Sequence, residues 1–293
     1  MKRERDDVMN TKSDVLAKLE NDLTLRNYAG LTKDRYSYVC NNFLNYMERR
    51  IPDKKISDYD ENNAIMYLNY LTTVRHNGDK TYNHVNSILK FLLEVTLEKD
   101  IAYKRMPSRK LPDKLKVIPS YDTIMNIINN TKNKKHKIWF MLAYGSGLRP
   151  IEIAGLKVRN IYARDMKVIV EGKGKKEKMT TLSIETLNLL REYAVEEGIS
   201  GKETYLFPGK GRDYICQASV ASALANIVKK LEIEEHITPM ALRRSFATHL
   251  LRSGEELQVV KELMGHKSIL TTSGYISYMY KELEIKSPLD RDI

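Results

Sequence analysis

Four runs of apolar residues at helical spacing, closed by a basic stretch with two prolines, constrain this chain more than any other feature. Val15, Leu16, Leu19 and Leu23 share one face of a helix predicted over residues 12–27. Tyr36, Val39, Cys40, Phe43, Leu44 and Met47 do the same for residues 32–49. Ile65, Leu68 and Leu71 mark a third helix over 58–76, and Val85, Ile88, Leu89, Leu92 and Leu93 a fourth over 82–97. Asn77-Gly78-Asp79 separates the last two. Four such faces close on one another as a small all-helical domain, assigned to residues 1–103. Residues 104–112 (Lys104, Arg105, Arg109 and Lys110 among two prolines) lose the periodicity, because a residue before proline is pushed out of the helical region. A basic linker is therefore expected over residues 104–119.

Residues 120–293 form the second expected domain. Ser120 caps a helix over 121–129, residues 135–146 form an apolar helix, and Pro150 opens a short one over 149–156. Apolar and polar residues then alternate in 166–170 and 178–182, flanking Gly172-Lys173-Gly174-Lys175, which signals a hairpin. Helices resume at about 184–197, 217–231, 240–253, 257–264 and 279–286. The fold class is mainly α with a small β-hairpin or sheet, in two domains.

Charge distribution narrows the partner. Residues 1–100 carry sixteen Lys/Arg and sixteen Asp/Glu, so the whole formal net charge of +11 lies in 101–293. Between Lys104 and Lys137 stand ten cations against Asp113 and Asp122, the electrostatic footprint of a polyanion partner. The longest apolar stretches, such as Ile138–Leu142, are too short to span a bilayer, and no apolar core follows the charges at the N-terminus. Cys40 and Cys216 lie far apart and form no metal-ligand spacing. A cytoplasmic protein is expected.

Chemistry concentrates in four segments. Arg149 follows Gly145-Ser146-Gly147-Leu148, where one helix ends and another begins, so its guanidinium lies near a helix N-terminus favourable to phosphate. Glu152, three residues on, can orient Arg149 or Lys173. Lys173 sits at the hairpin tip, able to enter a DNA groove or protonate a leaving oxygen, with Lys175, Lys176 and Lys178 close by. The run Leu242-Arg243-Arg244-Ser245-Phe246 places Arg243 off the Leu242/Phe246/Leu250 face, and one of the two arginines is expected to face a site. His249 has apolar neighbours and reads as a packed structural histidine. His266 follows a glycine at a helix end, a place that presents a side chain, and Tyr275 stands nine residues further on, with Tyr278 and Tyr280 as rivals. Arginine can hold phosphate oxygens bidentately, histidine adds a donor, and a phenol can act as nucleophile.

Taken together, Gly147-Leu148-Arg149 with Glu152, Gly172-Lys173-Gly174, the 242–251 run, and Gly265-His266 with Tyr275 resemble the motifs of the tyrosine recombinase (phage integrase) family. The short linkers and tail are most similar to its Xer-type members. The resemblance covers roughly residues 12–285, and it implies a helical SAM-like core-binding domain followed by the catalytic domain. It also implies a reaction. Tyr275 attacks a DNA phosphorus to form a 3′-phosphotyrosyl link, Arg149, Arg243 and His266 stabilise the transition state, and Lys173 protonates the departing 5′-oxygen. Lys104, Arg105, Arg109, Lys110, Lys175, Lys176 and Arg244 are expected on the DNA. No metal or nucleotide cofactor is expected. The partners implied are double-stranded DNA, four protomers on two DNA sites, and possible accessory DNA-bound proteins. The segment holding Tyr278, Leu283 and Ile285 resembles the helix that docks on a neighbouring protomer, although docking within one chain fits equally.

One position departs from the family pattern. Met240 stands three residues before Arg243, where the family usually has histidine. A thioether cannot donate a hydrogen bond to phosphate. Removing one such donor typically costs about 10²–10³ in rate. Slower chemistry, a compensating Arg244 or His249, or a water in that place would each accommodate the change. Two alternatives stay open: a catalytically weakened or inactive DNA-binding protein of this fold, and relaxation activity like that of a type IB topoisomerase.

Overall fold

The computed structural model describes residues 11–112, 117–171, 177–266, 268, 272 and 273. It divides into two compact units, 1–114 and 115–293. The expected hairpin tip (Lys173, Lys175, Lys176), Tyr275 with its rivals Tyr278 and Tyr280, and the expected helix over 279–286 lie outside the described residues. Among the described residues no helix is long and apolar enough to cross a membrane.

In the N-terminal unit the four predicted helices form as α1 (Lys12–Leu25), α2 (Gly30–Arg50), α3 (Glu61–Thr73) and α4 (Asp79–Phe91). Capping explains the starts. Thr11 and Asp60 each form a reciprocal capping box, satisfying amides that the first turn of a helix leaves without partners. The third helix is shorter at both ends than its periodicity predicts, because a turn of 3₁₀ helix (Ile56–Asp58) and the Asp60 cap take up the start. The predicted fourth helix continues past Phe91 as a π turn over Leu92–Thr96, so its apolar face is kept while its hydrogen bonding changes. Leu19, Phe43, Met47, Leu68, Ile88 and Leu89 make a dry core.

The basic stretch after α4 does not run free. Asn86 donates to the carbonyls of Met106 (3.0 Å) and Pro107, while Asn83 exchanges hydrogen bonds with the backbone of Arg109. Met106 is fully buried, which fastens residues 101–109 to the helical unit.

In the C-terminal unit α5 (Tyr121–Asn130), α6 (Lys134–Gly145), α7 (Pro150–Ala154), α8 (Ile184–Glu196), α9 (Gln217–Lys230) and the start of α10 (Pro239–Arg252) surround the main core, while the rest of α10 packs with α11 (Leu257–Met264) in a smaller one. Trp139, Phe140, Leu142, Phe207, Leu224 and Leu242 are buried in the main core. Three antiparallel strands, β1 (Ile161–Tyr162), β2 (Lys167–Glu171) and β3 (Glu177–Thr181), form the sheet in the order β1-β2-β3. The short β1 was not expected, since two residues are too few to show alternation. Register pairs Val168 with Thr180 and Val170 with Lys178. The alternation along β3 is inverted: Lys178 and Thr180 face inward and Met179 is 47% exposed. The polar face is buried because it packs on the segment joining α6 to α7, where Thr180 Oγ1 donates to the Ser146 carbonyl (2.8 Å) and Thr181 Oγ1 to that of Gly145 (3.1 Å).

Candidate active site

The site is assembled at the ends of helices. Helix α6 stops at Gly145, and Gly147 adopts a left-handed backbone (φ +57°). A Cβ at Gly147 would stand 2.4 Å from the ring of Phe246 on α10, so conformation and space both require glycine. That turn sets Arg149 as the N-cap of α7, with Pro150 at the first helical position. Glu152 folds back: its Oε2 accepts the Arg149 backbone N–H (2.8 Å), and its Oε1 pairs with the Arg149 guanidinium (2.6 Å). The carboxylate therefore caps its own helix and orients Arg149, the first of the two roles anticipated for it.

Arg243 reaches the same carboxylate from α10, with Nη1 3.5 Å from Glu152 Oε2. It also donates to the carbonyls of Gly147 and Met264, tying the turn before α7 to the end of α11. The expectation that Arg243 projects out of the buried stripe is corrected: it is 1% exposed. Helix α10 packs on α6, α9 and α11 at once, so its Arg243 face is covered as fully as its Leu242/Phe246 face. Arg244, its neighbour, donates to the Val117 carbonyl (3.0 Å) and Ser245 to that of Pro119 (3.0 Å).

Sequence reasoning gave no separate role to Lys178. It lies on the inward face of β3 with its Nζ 3.6 Å from Glu152 Oε2 and 3.2 Å from the Gly147 carbonyl oxygen. The available signal was the strand period of two, which puts every second side chain on one face. The apolar Met179 next to it pointed to the opposite assignment.

His266 follows the left-handed Gly265 that ends α11, and its N–H bonds back to the Lys261 carbonyl (3.1 Å). Its ring Nδ1 lies 2.9 Å from Thr272 Oγ1, which fixes the ring. His266, Arg149 and Lys178 line a cavity of about 1210 Å³, together with Lys167 and Lys261.

Electrostatics follows from crowding three cations around one carboxylate. Burial would raise the Glu152 carboxyl, but Lys178, the Arg149 amide, Arg243 and Arg149 together hold it below the usual carboxylate range. Burial, reinforced by Arg243, lowers the Lys178 ammonium to about 7 against the pull of Glu152. Burial and the charges of Arg243, Arg149 and Lys178 lower His266 to about 4. The imidazole is thus neutral at physiological pH.

The other predicted residues are placed as follows. Met240 lies in the first turn of α10, three residues before Arg243 and 40% exposed. His249 accepts or shares a hydrogen bond with Tyr144 Oη (3.0 Å) and meets its ring edge-on, as a packed structural histidine would. Lys104 and Lys110 are exposed. Arg105 pairs with Glu61 (2.7 Å) and Asn62. Arg109 pairs with Asp79 (2.8 Å) and stacks 3.9 Å from the centre of the Tyr82 ring.

A helical unit followed by a unit whose helix ends converge on two arginines, a glutamate, a lysine and a histidine defines a class of protein that handles phosphodiesters. The comparisons agree with that class. Residues 119–282 match the phage integrase family, and residues 15–103 match the phage integrase N-terminal SAM-like domain. The chain is 29% identical to tyrosine recombinase XerD of Oceanobacillus iheyensis, over 86% of this chain and 90% of that one. It is 26% identical to tyrosine recombinase XerA of Pyrococcus horikoshii, over 96% and 94%. Its fold is similar to that of a XerH site-specific recombinase bound to difH substrate (TM-score 0.69, 18% identity, 94% of this chain and 89% of that one). The chain belongs to the phage integrase family and is a site-specific tyrosine recombinase, an enzyme that cleaves and rejoins DNA.

Proposed function

We propose that the cavity beside Arg149, Lys178 and His266 receives one phosphodiester of a double-stranded DNA site. The observation that carries this reading is the convergence of cations on one point. Among the described residues Arg149, Arg243 and Lys178 all meet the carboxylate of Glu152, with His266 lining the same cavity as Arg149 and Lys178. Guanidinium and ammonium groups brought together in this way suit the oxygens of a phosphate. Only charge that grows in the transition state is stabilised catalytically, and the phosphorane oxygens of a phosphoryl transfer gain such charge.

In the reaction the Tyr275 hydroxyl gives its proton to solvent, its oxygen attacks phosphorus, a P–O bond to the tyrosine forms, and the bond to the 5′-oxygen breaks. Arg149, Arg243 and the neutral His266 stabilise the non-bridging oxygens, while Lys173 delivers a proton to the 5′-oxygen. A 5′-hydroxyl of a partner duplex then attacks the phosphotyrosine and releases the phenol, so the phosphoester count is unchanged. Lys104, Lys110, Lys175 and Lys176, with Arg105, Arg109 and Arg244, supply contacts to the DNA backbone. Residues 1–103 and 120–293 clamp the duplex, joined by residues 104–119. Four protomers act on two sites, with the segment after Tyr275 docking between them and accessory DNA-bound proteins where the site demands them. The setting is the cytoplasm at the nucleoid, and the task is chromosome dimer resolution or mobile-element integration.

The test is capture of a covalent complex on a nicked duplex taken from DNA selected by the purified protein. Wild type is expected to form the adduct and Tyr275→Phe to form none. An adduct from the Phe variant would move the nucleophile to Tyr278 or Tyr280.

A further inference from the structure

Lys178 is the buried cation of the site that the reaction above does not use. Its surroundings tie it to every other described member. Its ammonium contacts the Gly147 carbonyl (3.2 Å) that Arg243 also uses, and lies 3.6 Å from the Glu152 oxygen that serves Arg149 and Arg243. Its aliphatic stem is packed against the turn that presents His266: a Cβ on Gly265 would stand 3.1 Å from Lys178 Cδ. It belongs to β3, the strand that follows the expected Lys173 turn. One side chain thus connects the hairpin, the turn before α7, the second arginine and the end of α11.

We propose that Lys178 is a positioning residue of the recombinase site, whose buried ammonium bridges Gly147 and Glu152 and so holds Arg149, Arg243 and His266 in a single arrangement for the scissile phosphate. The inference rests on the functional reading above. The bridge needs a cation: a neutral amine still reaches the Gly147 carbonyl but no longer attracts the carboxylate. Among the described residues the groups facing the ammonium are Glu152 and Arg149 at α7, Arg243 from α10 and His266 after α11. Near neutral pH the ammonium begins to lose its proton, so the arrangement loosens as pH rises. Arginine at this position stays charged throughout.

Two readouts on the full chain test this. The first needs no DNA: proton resonances of the His266 ring are followed through a pH titration. In Lys178→Met a neighbouring cation is gone, and the midpoint is expected to rise from about 4 towards the ordinary histidine range. In Lys178→Arg it is expected to stay low. The second is the rate of covalent capture at saturating duplex. Lys178→Met is expected to fall by about 10², the cost of a small misplacement of the groups around the phosphate. Lys178→Arg is expected to recover most of that rate and to lack the fall above neutral pH expected of wild type. An unmoved His266 midpoint in the Met variant, wild-type capture by it, or an Arg variant as slow as Met would each overturn the assignment. Absence of any adduct in wild type, with His266 shifting as described, would remove the recombination chemistry and leave the Lys178 bridge standing.

Discussion

Replacing Glu152 by glutamine keeps the side chain's shape and removes the charge that three cations share, so its cost can be worked from the geometry. Two of the contacts are at 3.5 Å (Arg243) and 3.6 Å (Lys178), and Arg149 pairs at 2.6 Å. At an effective dielectric of ~20, each of the two longer contacts has a gross attraction of about 4–5 kcal/mol. Most of that offsets desolvation, so the net loss expected is about 3–5 kcal/mol, the range found when one partner of a buried pair is removed. The loss depends on pH with a definite sign. The Lys178 ammonium is lowered to about 7, so at pH ~6 it is charged and needs Glu152, whereas at pH ~9 it is largely neutral in the folded protein. One of the three attractions is then absent already, and the penalty should shrink by about a third. Urea unfolding measured by tryptophan fluorescence reads this unit alone: Trp139 is the chain's single tryptophan, 2% exposed and edge-on to Phe207. Equal stability of wild type and Glu152→Gln at both pH values, or a larger loss at alkaline pH, would refute the account of a shared carboxylate.

Gly147→Ala should destabilise the C-terminal unit by about 1–3 kcal/mol, because the added methyl enters the Phe246 ring in a left-handed backbone; unchanged Trp139 unfolding would count against that packing. Met240→His restores a donor three residues before Arg243, and covalent capture should rise by up to about 10²–10³; no rise, with binding intact, would mean that another group already serves there.

Legibility differed from segment to segment for physical reasons. Helix faces were readable wherever a helix has a dry side and a wet side, as in α1 to α4, where Leu19, Phe43, Leu68 and Leu89 fell where spacing put them. For Glu152 the sequence offered Arg149 or Lys173 as partner, and the pairing observed is with Arg149, which lies within the same helical turn. Arg243 was expected to face the site but was misjudged in exposure, because α10 packs on α6, α9 and α11 and its middle turns leave no wet face for periodicity to detect. The basic stretch was recognised by composition, yet Arg109 and Arg105 are held by Asp79, Tyr82 and Glu61, partners far back in the chain. Lys178 escaped because a lysine on the buried face of a strand contradicts the usual partition of polar and apolar residues.

What the amino-acid order alone determined is everything that depends on near neighbours: helix and strand periods, the Gly147 and Gly265 turns, the cap at Arg149, and the motif spacing that marks the family. What only the tertiary structure decided is how charge is shared. Glu152 faces cations from a helix cap, a strand and a distant helix at once, and Lys178 is lowered to about 7 by burial and Arg243. Such values depend on distance and on exclusion of water, and both come into being only when residues 31 and 96 positions from Gly147 are folded against the same turn.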